Sequence, residues 1–121
     1  MKTVTILYIL NATLLLLHEI ESGYEKEWEI LKLPGKITGF LLLHIPIILI
    51  LFYGLLEVDK QTQIGSVIGI ITGIGGSIPF VVHKILVKQE KYFNLLISNI
   101  IIYLSILTGI GTIIFSARCI T

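Results

Sequence analysis

The sequence has little charge and almost no cysteine. Of its 121 residues, 14% are charged, whereas a soluble domain usually has about 25% charged residues. Basic and acidic residues nearly balance, for a net charge of +1, and no basic patch indicates a nucleic-acid partner. The single cysteine, Cys119, excludes a disulfide bond within the chain. These shortages argue against an ordinary soluble domain, a nucleic-acid-binding protein and a disulfide framework.

The chain is instead rich in apolar residues, with 55% hydrophobic residues and a mean hydropathy of +0.94. Each of its four apolar segments approaches or exceeds the roughly 20 residues that cross a bilayer core of about 30 Å. The segments span residues 4–20, 37–58, 64–87 and 92–117. Lipid offers no partner to a bare backbone amide, so all four are expected to be helices. The sequence therefore predicts an all-α fold, a membrane four-helix bundle that forms one transmembrane domain over residues 1–121.

The first apolar segment has the basic start of a signal peptide at Lys2. No cleavage site of small residues follows it, because His18 and Glu19 stand there instead. We therefore interpret it as a retained span, and we expect its helix to continue as far as Trp28.

Basic residues predict the orientation in the membrane. The loops after the first and third segments carry six lysines, and the opposite side carries three basic residues. The six are Lys26, Lys32, Lys36, Lys84, Lys88 and Lys91, and the three are Lys2, Lys60 and Arg118. The positive-inside rule then places loops 1 and 3 in the cytoplasm, for a protein of a bacterial-type cell membrane.

Small residues follow one face of the third segment. Gly65, Gly69, Gly73 and Ser77 stand four apart, a pattern that lets another helix approach closely. A polar stripe on the fourth segment is expected to pack against this face; it consists of Asn94, Ser98, Ser105, Gly109, Thr112 and Ser116. The alternative is that the glycine face is an exposed groove for another protein or for a second copy of the chain.

Titratable residues gather where the first segment ends. Residues 14–29, LLLLHEIESGYEKEWE, contain His18 and five glutamates. The four-helix topology brings His18, His44 and His83 near one membrane face, whichever side that face is on. Ionisable groups at the end of a membrane span indicate a functional site.

One hypothesis for this site is a metal centre. A histidine and a glutamate three apart on a helix can reach one ion, and this is the spacing of His18 and Glu21. The predicted ligands are His18, Glu21, His44 and His83, with Glu25 as a further ligand or catalytic base, whereas Glu19 and Glu27 are expected to point elsewhere. Imidazole and carboxylate suit Zn, Fe or Mn. Such an ion would support hydrolysis or oxidation of a lipid-like, membrane-soluble substrate.

Two other hypotheses need no metal. His18 and a glutamate would form an acid–base pair in a cavity that faces the lipid. Alternatively, the histidines cap helix ends and the glutamates pair with loop lysines, while Trp28 and Tyr24 are interfacial anchors. Pro46 lies two residues after His44 and should kink the second span. The kink would open room for a ligand or re-aim the ring, or it is only a bend of the kind common in transmembrane helices.

Part of the chain resembles a known family. The stretch HEIESGYEKEWEILKLPG at residues 18–35, followed by FLLLHIP at residues 40–46, is similar to a family of small uncharacterised membrane proteins. That family looks like the HXXEE-domain proteins, which carry a His-x-x-Glu-Glu motif and a later His-x-x-x-His motif whose residues are thought to bind metal.

The resemblance implies candidate ligands residue by residue. His18 and Glu21 occupy the first motif, and Ser22 stands in place of its second glutamate. His83 corresponds to one histidine of the later pair, and Val87 occupies the place of the other. The resemblance implies architecture and candidate ligands, and no substrate.

Overall fold

The computed structural model describes residues 2–30, 32–86 and 96–120, and within them it describes only the backbone of Glu27, Ile30, His83, Ile85, Leu86, Cys119 and Ile120. The elements are α1 (Thr3–Tyr24), α2 (Glu27–Ile30), α3 (Lys36–Lys60), α4 (Gln63–Phe80), a π-helical segment (Val81–Leu86) and α5 (Leu96–Ile120). Four of the helices are long and apolar enough to cross a membrane. The predicted all-α, four-helix membrane fold is confirmed.

The first helix ends earlier than predicted. It runs through Gly23 to Tyr24, and then Lys26 adopts a φ of 52° in the left-handed region. A residue in that conformation cannot continue a right-handed helix. The chain therefore turns, and Trp28 lies on the separate helix α2. The prediction of a helix unbroken as far as Trp28 is wrong.

Helices α4 and α5 approach until their backbones touch. A Cβ atom built on Gly73 would lie 2.6 Å from the Gly109 carbonyl oxygen, and one built on Gly69 would lie 2.2 Å from the Ser116 hydroxyl oxygen. Neither position leaves room for a side chain. The described members of the polar stripe on α5 are all buried in the bundle: Ser98, Ser105, Gly109, Thr112 and Ser116. The predicted packing of the two faces is confirmed, while Asn94 lies outside the described residues.

Helix α1 joins this pair through the amide of Asn11, which is fully buried. Its Nδ2 donates to the Thr72 carbonyl of α4 at 2.9 Å, and its Oδ1 accepts from the Thr108 hydroxyl of α5 at 3.2 Å. Polar side chains that bond across helices stabilise membrane bundles, because packing otherwise has no hydrophobic driving force in lipid. Asn11 thus ties three helices together near the middle of the bundle.

Helix α3 is attached mainly by its C-terminal half. Its buried residues are Leu51, Gly54 and Val58. The Tyr8 hydroxyl of α1 donates to the Leu51 carbonyl at 2.7 Å. Gly65 of α4 lies against the backbone of Glu57 across the short loop 2. The N-terminal half of α3, by contrast, has no buried residue and leaves a space beside α1 and α4.

Candidate functional site

The space between α1, α3 and α4 is a cavity of about 410 Å³. It extends from the loop 1 end of the bundle to about the level of Leu51 and Thr72. The lining is mostly aliphatic and aromatic. It consists of Leu15, Leu16, His18, Glu19, Trp28, Leu33, Phe40, Leu43, His44, Ile47, Ile50, Leu51, Ile71, Thr72, Gly75, Ile78, Pro79 and Val82.

The cavity opens sideways between α3 and α4. Leu43 and Ile50 on α3 and Ile71 and Ile78 on α4 line it, and each of these side chains is half-exposed. Their exposure indicates an opening between the two helices, and in a membrane-spanning bundle the sides of the helices face lipid. The mouth is therefore accessible from the bilayer.

Prolines lie at two places near the cavity. Pro46 is inside α3, one residue before the lining residue Ile47, and Pro79 lines the cavity near the end of α4. Each proline lacks the N–H that would bond the preceding turn of its helix. The π-helical segment Val81–Leu86 follows Pro79 directly. Irregular turns of this kind often occur at functional sites.

The titratable side chains of the cavity lie at its loop 1 end. His44 Nε2 lies 2.6 Å from Glu19 Oε2, and His44 Nδ1 lies 2.6 Å from the Phe40 carbonyl oxygen one helical turn earlier. The two side chains are 12% and 26% exposed, respectively. The imidazole is therefore held at both nitrogens, with the carboxylate of α1 as its partner.

Two aromatic rings pack in a row beside His44. The Phe40 ring lies 4.1 Å from the His44 ring and 5.5 Å from the Trp28 ring, centroid to centroid. Trp28 is 7% exposed and lines the cavity. The prediction of an interfacial anchor did not include this contact with the cavity. Tyr24 is largely exposed, which agrees with an interfacial position. Helix α2 thus brings its indole ring over the polar end of the cavity.

The structure brings together only some of the predicted site residues. His18 is buried and lines the cavity, as does His44. Glu21 accepts a hydrogen bond from the Ser98 hydroxyl of α5 and does not line the cavity. Glu25 lies in the turn that follows α1. The side chain of His83 lies outside the described residues.

The prediction that Glu19 points elsewhere is wrong. Glu19 is the carboxylate that contacts His44, while Glu21, two residues further along α1, faces α5. The helical angle from His18 favoured Glu21. The position of α3 decides which glutamate meets a histidine, and the only available signal was that Glu19 lies beside His18.

No group of three or more histidine, cysteine, aspartate or glutamate side chains is placed to hold a metal among those that the structure describes. Both ring nitrogens of His44 already have oxygen contacts, and Glu21 lies on another side of α1. The predicted metal centre with Zn, Fe or Mn stays a prediction, because it includes the side chain of His83.

The glycine face is internal. Gly65, Gly69 and Gly73 are buried against α3 and α5 of the same chain. The hypothesis of a partner or second copy bound there requires an exposed groove, and these three glycines do not form one.

Residues 4–119 match DUF6713, a family of unknown function. The chain belongs to this family. No curated protein and no solved structure matches the chain. The relation to HXXEE-domain proteins stays a prediction.

Proposed function

We propose that this membrane protein binds a lipid-like, membrane-soluble molecule in the cavity between α1, α3 and α4. The apolar part of the molecule lies along the aliphatic wall, and its polar group meets His44 and Glu19. The supporting observation is the cavity itself: apart from Thr72 at the far end, its described lining is apolar except for the titratable side chains at the loop 1 end. A mostly apolar pocket with a few convergent polar groups is typical of ligand sites.

The dimensions of the cavity suit a small amphiphile. Seven residues of α3 separate His44 from Leu51, which corresponds to about 10 Å at the rise of an α-helix. The volume of about 410 Å³ lies within the range of about 300–1,000 Å³ that small-molecule pockets occupy. One acyl chain or one ring system fits this space, and a longer tail can leave through the mouth between α3 and α4.

The polar end favours acid–base chemistry without a metal. A histidine in hydrogen-bond contact with a carboxylate can transfer a proton to or from a bound group. The described geometry favours such acid–base chemistry over a metal-dependent reaction. To bind the predicted metal, the protein would have to break the His44–Glu19 contact and turn Glu21 away from Ser98. If the protein is an enzyme, we propose proton transfer on the bound amphiphile as its reaction.

The single tryptophan provides a test of binding. Trp28 lines the cavity, so a brominated acyl chain inside it should quench the fluorescence of the indole. We expect saturable quenching when a brominated monoacylglycerol is titrated into the protein in detergent. Quenching that rises linearly with the mole fraction of the probe would show contact from the micelle alone and would contradict the proposal.

Two neighbouring leucines provide a matched pair of variants. Leu43 lines the cavity and Leu42 does not, although both are exposed on α3. We expect Leu43→Phe to weaken binding of the brominated probe several-fold, while Leu42→Phe binds like the unchanged protein. Equal effects of the two substitutions would place the probe elsewhere on the surface.

A further inference from the structure

The rings of Trp28, Phe40 and His44 form a row at the loop 1 end of the cavity. Phe40 contacts both of the others. Its ring centroid lies 4.1 Å from that of His44, with 33° between the planes, and 5.5 Å from that of Trp28, with 53° between the planes. All three rings line the cavity. The wall that α2 and α3 contribute at this end is therefore made largely of ring surfaces, whereas the deeper walls are mostly aliphatic.

The two ends of this row are held in place. At one end, the nitrogens of the His44 ring lie 2.6 Å from the Phe40 carbonyl oxygen and 2.6 Å from Glu19 Oε2. At the other end, Trp28 is buried, and its carbonyl accepts a hydrogen bond from the Leu33 N–H at 2.7 Å. Side chains that are already ordered lose little freedom when a ligand binds. The row is thus a preorganised surface.

Helix α4 presents small side chains at the level of the row. Pro79 lies as far along α4 from loop 2 as His44 lies along α3, so the two residues are at a similar depth. Gly75 lies one turn before Pro79, and both line the cavity, together with Ile78 and Val82. Glycine and proline project little beyond the backbone. The α4 wall therefore leaves room beside the row of rings.

A planar ring suits this place better than a flexible chain does. Aromatic rings attract one another in offset-stacked or edge-to-face arrangements, at centroid separations of about 4.5–7 Å. The Phe40–Trp28 pair already has such a separation, and a ligand ring beside it would gain the same attraction in addition to burial of apolar surface. A rigid ring also has fewer rotatable bonds to immobilise than an acyl chain of similar size.

We propose that the bound amphiphile carries a planar unsaturated ring, which packs against Phe40 and Trp28 while its alkyl tail extends toward Leu51 or leaves through the mouth of the cavity. This inference rests on the proposed function and narrows it to alkylated phenols, quinones and related ring compounds. Selection by ring surfaces is independent of which hydrogens His44 and Glu19 carry.

Two ligands that differ only in the ring test this choice. A para-alkylated benzyl alcohol and the corresponding cyclohexylmethanol carry the same alkyl chain and the same hydroxymethyl group. Each competes with the brominated monoacylglycerol for the cavity, and its affinity is corrected for partitioning into micelles without protein. We expect the aromatic ligand to bind about two- to tenfold more tightly, which is the range that contacts between aromatic rings provide.

Two phenylalanines of α3 provide the matched variants. Phe40 lines the cavity, whereas Phe52 is exposed on the same helix and does not line it. In Phe40→Leu the preference for the aromatic ligand should fall to near parity, while Phe52→Leu should keep the full preference. An equal preference in the two variants, or no preference in the unchanged protein, would overturn the inference. Failure of both ligands to compete would instead contradict the proposed function itself.

A measurement on the unchanged protein depends on neither variant. Trp28 is the only tryptophan of the chain, so in protein labelled at tryptophan its indole signals are assigned at once. We expect nuclear Overhauser contacts between the indole and the ring hydrogens of the bound benzyl alcohol. Contacts from the alkyl chain without any from the ligand ring would overturn the inference, and they would leave the binding of amphiphiles untouched.

Discussion

The two sides of α4 pack in opposite ways. Toward α5, Gly73 lies against the backbone of Gly109 and Gly69 lies against the side chain of Ser116, so the two helices pack closely at both levels. Toward α3, contact is close only near loop 2, where Gly54 meets Ile68. Beyond that level, α3 leaves a cavity of about 410 Å³. Helices α1, α4 and α5 are therefore closely packed, whereas α2 and the N-terminal half of α3 line a cavity.

The largest loss of stability should come from a large side chain placed at the contact between α4 and α5. In Gly73→Leu the new side chain would collide with the backbone of Gly109, which cannot move without separating α4 from α5. Overpacking in a well-packed interior usually costs about 1–3 kcal/mol, and occasionally more. We expect the variant to lose its monodisperse peak in size-exclusion chromatography or to unfold at a clearly lower temperature.

Gly75 gives the matched substitution on the open side. A Cβ atom there would lie 3.7 Å from Leu15, an ordinary contact, and the position lines the cavity. We expect Gly75→Leu to fold with a thermal stability close to that of the unchanged protein. Equal damage from the Gly73 and Gly75 substitutions would show that the two sides of α4 do not differ as described.

The same Gly75→Leu variant should lose ligand binding. A leucine side chain takes up part of the space that the amphiphile needs, so quenching of Trp28 by the brominated monoacylglycerol should weaken at least several-fold. Circular dichroism of the same sample checks that the helices are intact. Unchanged binding in a folded Gly75→Leu protein would place the ligand outside this cavity.

A smaller loss of stability should follow from Asn11→Leu. This change removes the bonds to Thr72 and Thr108 and keeps a side chain of similar size. Interhelical hydrogen bonds in membranes contribute about 0.6–2 kcal/mol, so we expect a modest fall in thermal stability. Thr13→Val is the control, because the exposed Thr13 hydroxyl bonds only within its own helix, to the Ile9 carbonyl. A larger loss from Thr13→Val would contradict the role of Asn11.

Removal of metal ions should have the smallest effect on ligand binding. Because the described geometry favours a metal-free pair, we expect elemental analysis of the purified protein to find no near-stoichiometric Zn, Fe or Mn, and chelation to leave amphiphile binding unchanged. Near-stoichiometric metal that is lost in a His18→Ala and His44→Ala double variant would restore the predicted metal centre.

The arrangement of helices was accessible from the sequence because each helix carries its own pattern. The spacing of Gly69, Gly73 and the hydroxyl residues of α5 identified two faces that had to meet, and they do. The convergence of His18 and His44 near one membrane face also followed, since the antiparallel topology requires it. Both histidines line one cavity.

The residues that form the candidate site were harder to predict from the sequence. Helical angles measured from His18 favoured Glu21, and the structure turns Glu21 toward Ser98 of α5 instead. The end of α1 at Tyr24 and the placement of Trp28 over the cavity were also missed. The residue that adopts the left-handed conformation in this turn is Lys26. A lysine, unlike glycine or proline, does not indicate the end of a helix in a sequence.

Composition and periodicity by themselves determined that this chain is a membrane bundle of four helices with a small-residue face between the last two. That much follows from burial of apolar segments in lipid and from the geometry of a single helix. Only the tertiary structure decided that the N-terminal half of α3 stands away from α4, that Glu19 contacts His44, and that Trp28 lines the cavity. The reason is physical: a periodic pattern gives the direction of a side chain around its own helix axis, whereas a contact also depends on the distance and tilt of the neighbouring helix.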